Sequence, residues 1–234
     1  MFKIINHKSH TLFLRKIVFV LFFSFIPTSL FAILSAKSTG GLVGVAAGIG
    51  ILFILWSKTR WPAIILGVVG LAGLFLMPTN PIKQELLFQD WSGQLRLNMW
   101  GETVEFLQDR PLLGAGLASY TKRIFPYRID KWIEVFHHPH NIFLTIWVNT
   151  GLVGLIGFTW ILVWFFRTAF FSIKNHSQTI SSFPYFLISS MTIIVVTGLV
   201  DSPYIKNDLA ILFWLLPALL IFFTTSYTTP KSNT

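Results

Sequence analysis

Six stretches of the chain contain no Asp, Glu, Lys, Arg or His: Ile17–Leu34, Gly40–Trp56, Trp61–Met77, Ile142–Phe166, Phe183–Val200 and Leu209–Phe223. A helix needs about 20 predominantly apolar residues to cross ~30 Å of hydrocarbon. The pattern therefore predicts an all-α, polytopic membrane protein of about six transmembrane helices. The second, third and sixth runs are short, so their ends are expected to extend by several residues. Residues 1–77 would hold three spans, 78–141 a large polar loop, 142–227 three more spans, and 228–234 a disordered tail. Within the loop, Leu95, Met99, Val104 and Leu107 recur at helical intervals, with Ser92 as the expected N-cap of a helix over Gly93–Asp109. Arg110-Pro111 should end that helix, and Gly114 and Gly116 should form a turn. Apolar and aromatic residues from Tyr120 to Phe136 point to a loop lying on the membrane surface. Long structured loops between helices are uncommon unless functional.

Small residues mark two of the runs. Gly40, Gly44 and Gly48 repeat every fourth position, and Gly67, Gly70 and Gly73 every third. Both spacings are expected to let helices approach closely.

Charge fixes an orientation. The net charge of +9 is spread over span ends rather than gathered in a solvated patch, which argues against nucleic acid as a partner. With the N-terminus inside, Lys3, Lys8, Arg15, Lys16, Lys58, Arg60, Arg167, Lys174 and Lys231 are all cytoplasmic, and no Asp or Glu joins them. Of Lys and Arg, the short outer connections carry only Lys37 and Lys206. Positive-inside counting thus puts both termini in the cytoplasm and the large loop outside the cytoplasmic membrane. The basic N-terminus looks superficially like a signal peptide, but its apolar run is long and has no small-residue cleavage site, so it is expected to be a retained helix. The absence of cysteine excludes disulfides, thiolate nucleophiles and Cys-ligated metals.

Candidate chemistry gathers on the outer side. His137-His138-Pro139-His140-Asn141 stands at the entrance to the fourth span. An imidazole there can act as a base near neutral pH, while Asn141 and His140 can equally cap the helix. Zinc is disfavoured on spacing, because no acidic residue stands at a recognised ligand interval. Arg96 and Arg110 flank the loop helix and can fork onto phosphate oxygens, or pair with Glu102 or Asp109. Lys37 in the first outer turn, and Asp201, Lys206, Asn207 and Asp208 in the last, share that side by topology. They could line one cavity or simply be solvated.

From His140 the chain reads His140-Asn141, nine residues, then Gly151-Leu152-Val153-Gly154. This resembles the signature of the O-antigen ligase and polymerase superfamily. Arg96-Leu97-Asn98-Met99-Trp100 and Arg110-Pro111-Leu112-Leu113-Gly114-Ala115-Gly116-Leu117 resemble the segments that precede that signature. The likeness covers roughly residues 35–157. It implies a fold like the polytopic C-type glycosyltransferases and an inner-membrane enzyme of cell-surface polysaccharide assembly. The implied reaction moves a glycan from an undecaprenyl-pyrophosphate carrier to a hydroxyl of a glycan, lipid or protein, with no cofactor or metal. Carried over, His140 would be the base and Arg96, with Arg110 and Lys37, would hold the pyrophosphate. His138, Asn141 and Asp201 would be supporting residues, and other polysaccharide-assembly proteins possible partners. Two departures stand out: Lys37-Ser38-Thr39 occupies the place of a usual Ser-Arg pair, and typical members have about ten to twelve spans. A non-catalytic fragment or assembly partner is the alternative raised by the short length. A small-solute transporter is a further one, though ionisable residues inside the spans, which it would predict, are lacking.

Overall fold

A computed structural model of the chain describes residues 19–20, 23–25, 27–78, 81–133, 136–175, 182–202 and 207–228. The basic N-terminal residues, Glu134, the 229–234 tail and Lys206 lie outside the described residues, as do the side chains of Asn207 and Asp208. Among the described residues the regular structure is helical throughout.

Two compact units divide the chain, Met1–Ser38 and Thr39–Thr234. The first holds helical residues 27–35 (α1) and ends in a turn where Lys37 takes a φ of 49°. The second contains α2 (Thr39–Leu55), α3 (Arg60–Leu76), α4 (Pro81–Leu86), α5 (Trp91–Asp109), α6 (Tyr120–Ile124), α7 (Ile142–Asn175), α8 (Phe183–Gly198) and α9 (Asn207–Thr228). Helices thus stand where the last five apolar runs predict them. One of them, over Ile142–Lys174, is long and apolar enough to cross a membrane; α2, α8 and the apolar part of α9 are shorter apolar helices.

The core of this second unit is a seam of α7, α8 and α9. Phe158, Leu162, Phe165 and Ala169 interdigitate with Leu187, Ile188, Met191 and Ile194, and with Phe213 and Leu220. Against α8 lies α2, and here the four-residue glycine repeat does what its spacing predicts. Gly40 faces Val200, Gly44 faces Thr197, and Gly48 faces Ile193. The approach is close enough for Ser189 Oγ to donate to the Gly48 carbonyl at 2.7 Å. The other repeat behaves differently. Gly67, Gly70 and Gly73 have nothing within 4 Å of where a Cβ would stand, because α3 buries none of its residues among those described.

In the loop, α5 begins two residues earlier than its predicted span. Its cap is Asp90, whose side chain accepts from Gly93 N–H at 3.2 Å, and Ser92 bonds Arg96 instead. The buried stripe is Met99, Glu102, Thr103, Phe106 and Leu107, while Val104 faces outward. Phe106 and Leu107 form a second core with Ala115, Tyr120, Ile124 and Val148. Thr103 Oγ1 donates to the Met99 carbonyl, so the Tyr120 hydroxyl, 2.8 Å away, is the donor of their shared bond. Burial pushes that hydroxyl up to about 12.

Helix α7 is not one straight rod. At Gly151 the backbone takes φ 71° and ψ −175°, breaking the helix after its first nine residues. The remaining 24 residues are about 36 Å long, enough to cross the hydrocarbon unaided. Backbone groups released by the break find partners in the turn after α5. Leu152 N–H donates to the Leu112 carbonyl at 3.2 Å, and the Val148 carbonyl accepts from Ala115 and Gly116 N–H at 2.7 and 3.2 Å. Trp147 Nε1 donates to the Pro111 carbonyl at 2.8 Å. A Cβ on Gly114 or Gly151 would strike carbonyls of the opposite segment, and both residues have positive φ.

Gly151→Ala is therefore expected to cost about 1–3 kcal/mol or more through strain and collision. Gly157→Ala, which meets open space, should be neutral; thermal unfolding in detergent compares the two. On the α2–α8 seam, Gly48→Val should lower the melting temperature by overpacking worth about 1–3 kcal/mol. Gly70→Val on α3 should leave it unchanged.

Candidate functional site

The N-terminal end of α7 is held by three neighbours. Asn141 caps it, with Oδ1 accepting from Phe143 and Leu144 N–H at 3.0 and 3.1 Å. The same side chain donates through Nδ2 to the Leu199 carbonyl at 3.0 Å. Thr145 Oγ1, one turn along, lies 2.9 Å from Ser202 Oγ. Pro139 is buried, and its carbonyl accepts from Trp100 Nε1 at 2.8 Å. Between these anchors His140 sits in the left-handed region, φ 49°. A non-glycine residue held there signals a backbone constrained by its surroundings.

His140 Nδ1 lies 3.0 Å from Asp201 Oδ1. Burial alone would raise the Asp201 carboxyl. Hydrogen bonds from His140 and from Ser202 N–H, with the charges of His140 and His138, outweigh burial and hold it below its ordinary value. An ionised carboxylate only accepts, so Nδ1 carries the proton, and in the neutral ring the lone pair is then on Nε2. The His138 ring stands 4.8 Å from that of His140, and Phe136 meets His140 edge-on at 5.2 Å. His137 is exposed.

Arg96 approaches from α5. Its Nε donates to the Val200 carbonyl at 3.0 Å and its Nη1 to Ser92 Oγ at 2.9 Å. Val200 adjoins Asp201, so the guanidinium and the His140 imidazole are docked on consecutive residues. Trp100, one turn after Arg96 on the same face, holds Pro139. One helix thus positions both sides of the cluster.

Other candidates are not brought to this point. Arg110 is the C-terminal cap of α5, fourteen residues or about 21 Å along the axis from Arg96. It lines a separate groove of about 490 Å³ with Asp109, Pro111–Gly116 and Arg123. The two arginines are not brought together. Glu102, a candidate partner for those arginines, pairs instead with Arg128 (Nε–Oε2 3.5 Å), both side chains being at least 95 % buried. Lys37 belongs to the first unit. Sequence reasoning did not anticipate Trp100, Thr145, Ser202 or Arg128 in these roles, since each contact joins residues distant in the chain.

A family model described as O-antigen ligase matches residues 20–159. The chain belongs to that family. Arg96, Trp100, Arg110, His138, His140, Asn141 and Gly151 all fall within the matched stretch, whereas Asp201 lies beyond it. An O-antigen ligase of Salmonella typhimurium is 26% identical over 158 residues, covering 62% of this chain and 39% of its own. The exopolysaccharide production protein ExoQ of Rhizobium meliloti is 35% identical over 82 residues, covering 32% and 18%. An uncharacterized protein of Haemophilus influenzae is 25% identical over 187 residues, covering 70% and 46%. The chain spans less than half the length of these curated relatives.

Breaking the buried ion pair tests how the loop is held. Glu102→Gln leaves Arg128 uncompensated and is expected to cost about 3–5 kcal/mol. The double change Glu102→Leu with Arg128→Met should cost clearly less. Equilibrium unfolding of the two variants checks the difference.

Proposed function

We propose that this chain carries the outer-face active site of a glycan transferase of the O-antigen ligase type, acting in cell-surface polysaccharide assembly. The observation that supports this best is the His140–Asp201 pair, with Arg96 hydrogen-bonded to the adjoining residue. In this reading the donor is a glycan on undecaprenyl pyrophosphate, and the acceptor is a hydroxyl. The protein is a multi-pass inner-membrane protein of about six spans, with both termini cytoplasmic and the 78–141 loop outside.

His140 Nε2 takes the proton of the acceptor hydroxyl as its oxygen attacks the anomeric carbon of the donor sugar. The bond from that carbon to the pyrophosphate oxygen breaks, and the electron pair leaves with the pyrophosphate. Asp201 faces Nδ1–H, keeps the imidazole in the required tautomer and stabilises the imidazolium that forms. The Arg96 guanidinium, with Nε and Nη1 committed to protein acceptors, offers its remaining N–H groups and its charge to the leaving pyrophosphate. Arg110 and Lys37 are assigned to other parts of the donor or to lipid headgroups rather than to the same phosphate.

A chain that matches less than half of each relative also fits a second reading, in which transfer needs a partner polypeptide. Both are tested by glycan transfer in proteoliposomes holding the purified chain, a defined undecaprenyl-pyrophosphate oligosaccharide and a panel of hydroxyl acceptors. Wild type should transfer, His140→Ala should lose about 10²–10⁴-fold, and Arg96→Ala should lose a comparable amount. Asp201→Asn should retain more activity than His140→Ala. Transfer by wild type only after addition of a membrane extract would favour the partner reading, and undiminished transfer by His140→Ala would overturn the assignment of the base.

A further inference from the structure

We infer that His138, His140 and Asp201 form a binding site for a divalent transition-metal ion of the zinc class, and that its occupancy switches off proton transfer at His140. The switching half rests on the reading of His140 as the base; the binding half rests on geometry alone. Each of the three side chains offers one ligand atom, and these atoms all lie within 4.8 Å of one another. Around zinc, bonds of about 2.0–2.2 Å put neighbouring ligand atoms roughly 3.3–3.6 Å apart. His140 Nδ1 and Asp201 Oδ1, at 3.0 Å, are already near that spacing, and rotation about side-chain bonds closes the widest gap.

The donor set is chemically selective. Two imidazoles and one carboxylate suit zinc, cobalt, nickel or copper, whereas magnesium and calcium prefer sites made of oxygen alone. The frame is also held in advance. Pro139, between the two histidines, is fixed by Trp100, and Asn141 caps α7 immediately after them. All three side chains are partly exposed, so solvent and an ion can reach them. Spacing along the chain gave no sign of the site, because its acidic member stands 61 positions from His140.

Binding costs the base its lone pair by either route. A metal on Nε2 uses that pair directly. A metal on Nδ1 displaces the proton there, and the metal-bound ring holds a proton on Nε2 at neutral pH, so it accepts nothing. No electron transfer is involved, and removal of the ion restores the original tautomer.

The test uses the full chain in detergent with an affinity tag free of histidine. Cobalt(II) replaces zinc because its visible absorption reports nitrogen and oxygen ligation directly. Wild type should bind one equivalent, with zinc displacing it and magnesium in excess failing to do so. His138→Gln and Asp201→Asn, each shown folded by its melting temperature, should both lose the spectrum. No binding by folded wild type, or undiminished binding by both variants, would overturn the site. In the transfer assay, stoichiometric zinc should reduce turnover at least tenfold and a chelator should restore it. Full turnover with the metal demonstrably bound would overturn the switching. Should wild type transfer nothing even with chelator and membrane extract, the functional reading and the switching fall together, while the cobalt spectra still decide the site.

Discussion

A helix broken inside a membrane protein must find new partners for the backbone groups it frees, because lipid offers none. That requirement fixes the relation between the large loop and the rest of the second unit. At Gly151 α7 gives up its ladder, and the turn Pro111–Gly116 supplies the missing donors and acceptors. The turn in turn sets the end of α5, and α5 sets Arg96 and Trp100. Two glycines with positive φ, one on each side, allow the two backbones to meet where no side chain would fit. The loop is therefore a structural complement of α7, and its side chains inherit their positions from that docking.

The candidate site is organised around four consecutive residues after α8. Leu199 accepts from Asn141, Val200 from Arg96, Asp201 faces His140, and Ser202 meets Thr145. Three of these anchors lie in the first turn of α7 or just before it, and the fourth lies on α5. The His-Asn signature is in this light two residues with separate tasks. Asn141 holds the helix and its neighbour's loop, while His140 is turned toward the carboxylate.

The helical, membrane-type architecture was legible because apolar runs and their flanking charges are local properties of the chain. The nine residues between Asn141 and Gly151 were visible as a motif, but their meaning was not: they are a short helix measured from its cap to its break. Arg96 and Arg110 looked like a pair because they flank one helix, yet that helix holds them at opposite ends. Ser92 was the expected cap and lost to Asp90, since either side chain suits the task and only tertiary contacts choose. Glu102 and Arg128, and Arg96 and Val200, were out of reach for a common reason. Long-range pairing leaves no periodic trace, and charged residues in a polar loop look solvated until the loop is folded. The glycine repeat of α2 found its partner in α8, whereas that of α3 faces nothing described, although the two look alike in sequence.

The contact between Arg96 and Val200 spans 104 positions, and this has a consequence for biogenesis. At roughly 5–20 residues per second of synthesis, the arginine leaves the ribosome some 5–20 seconds before its acceptor carbonyl exists. During that interval α5, the turn and the first part of α7 can already lock together through the Gly151 break, all of whose partners are upstream. The carboxylate that faces His140 arrives only with the end of α8. The scaffold can thus assemble during insertion while the cluster stays open, and its completion is deferred until α8 is in place.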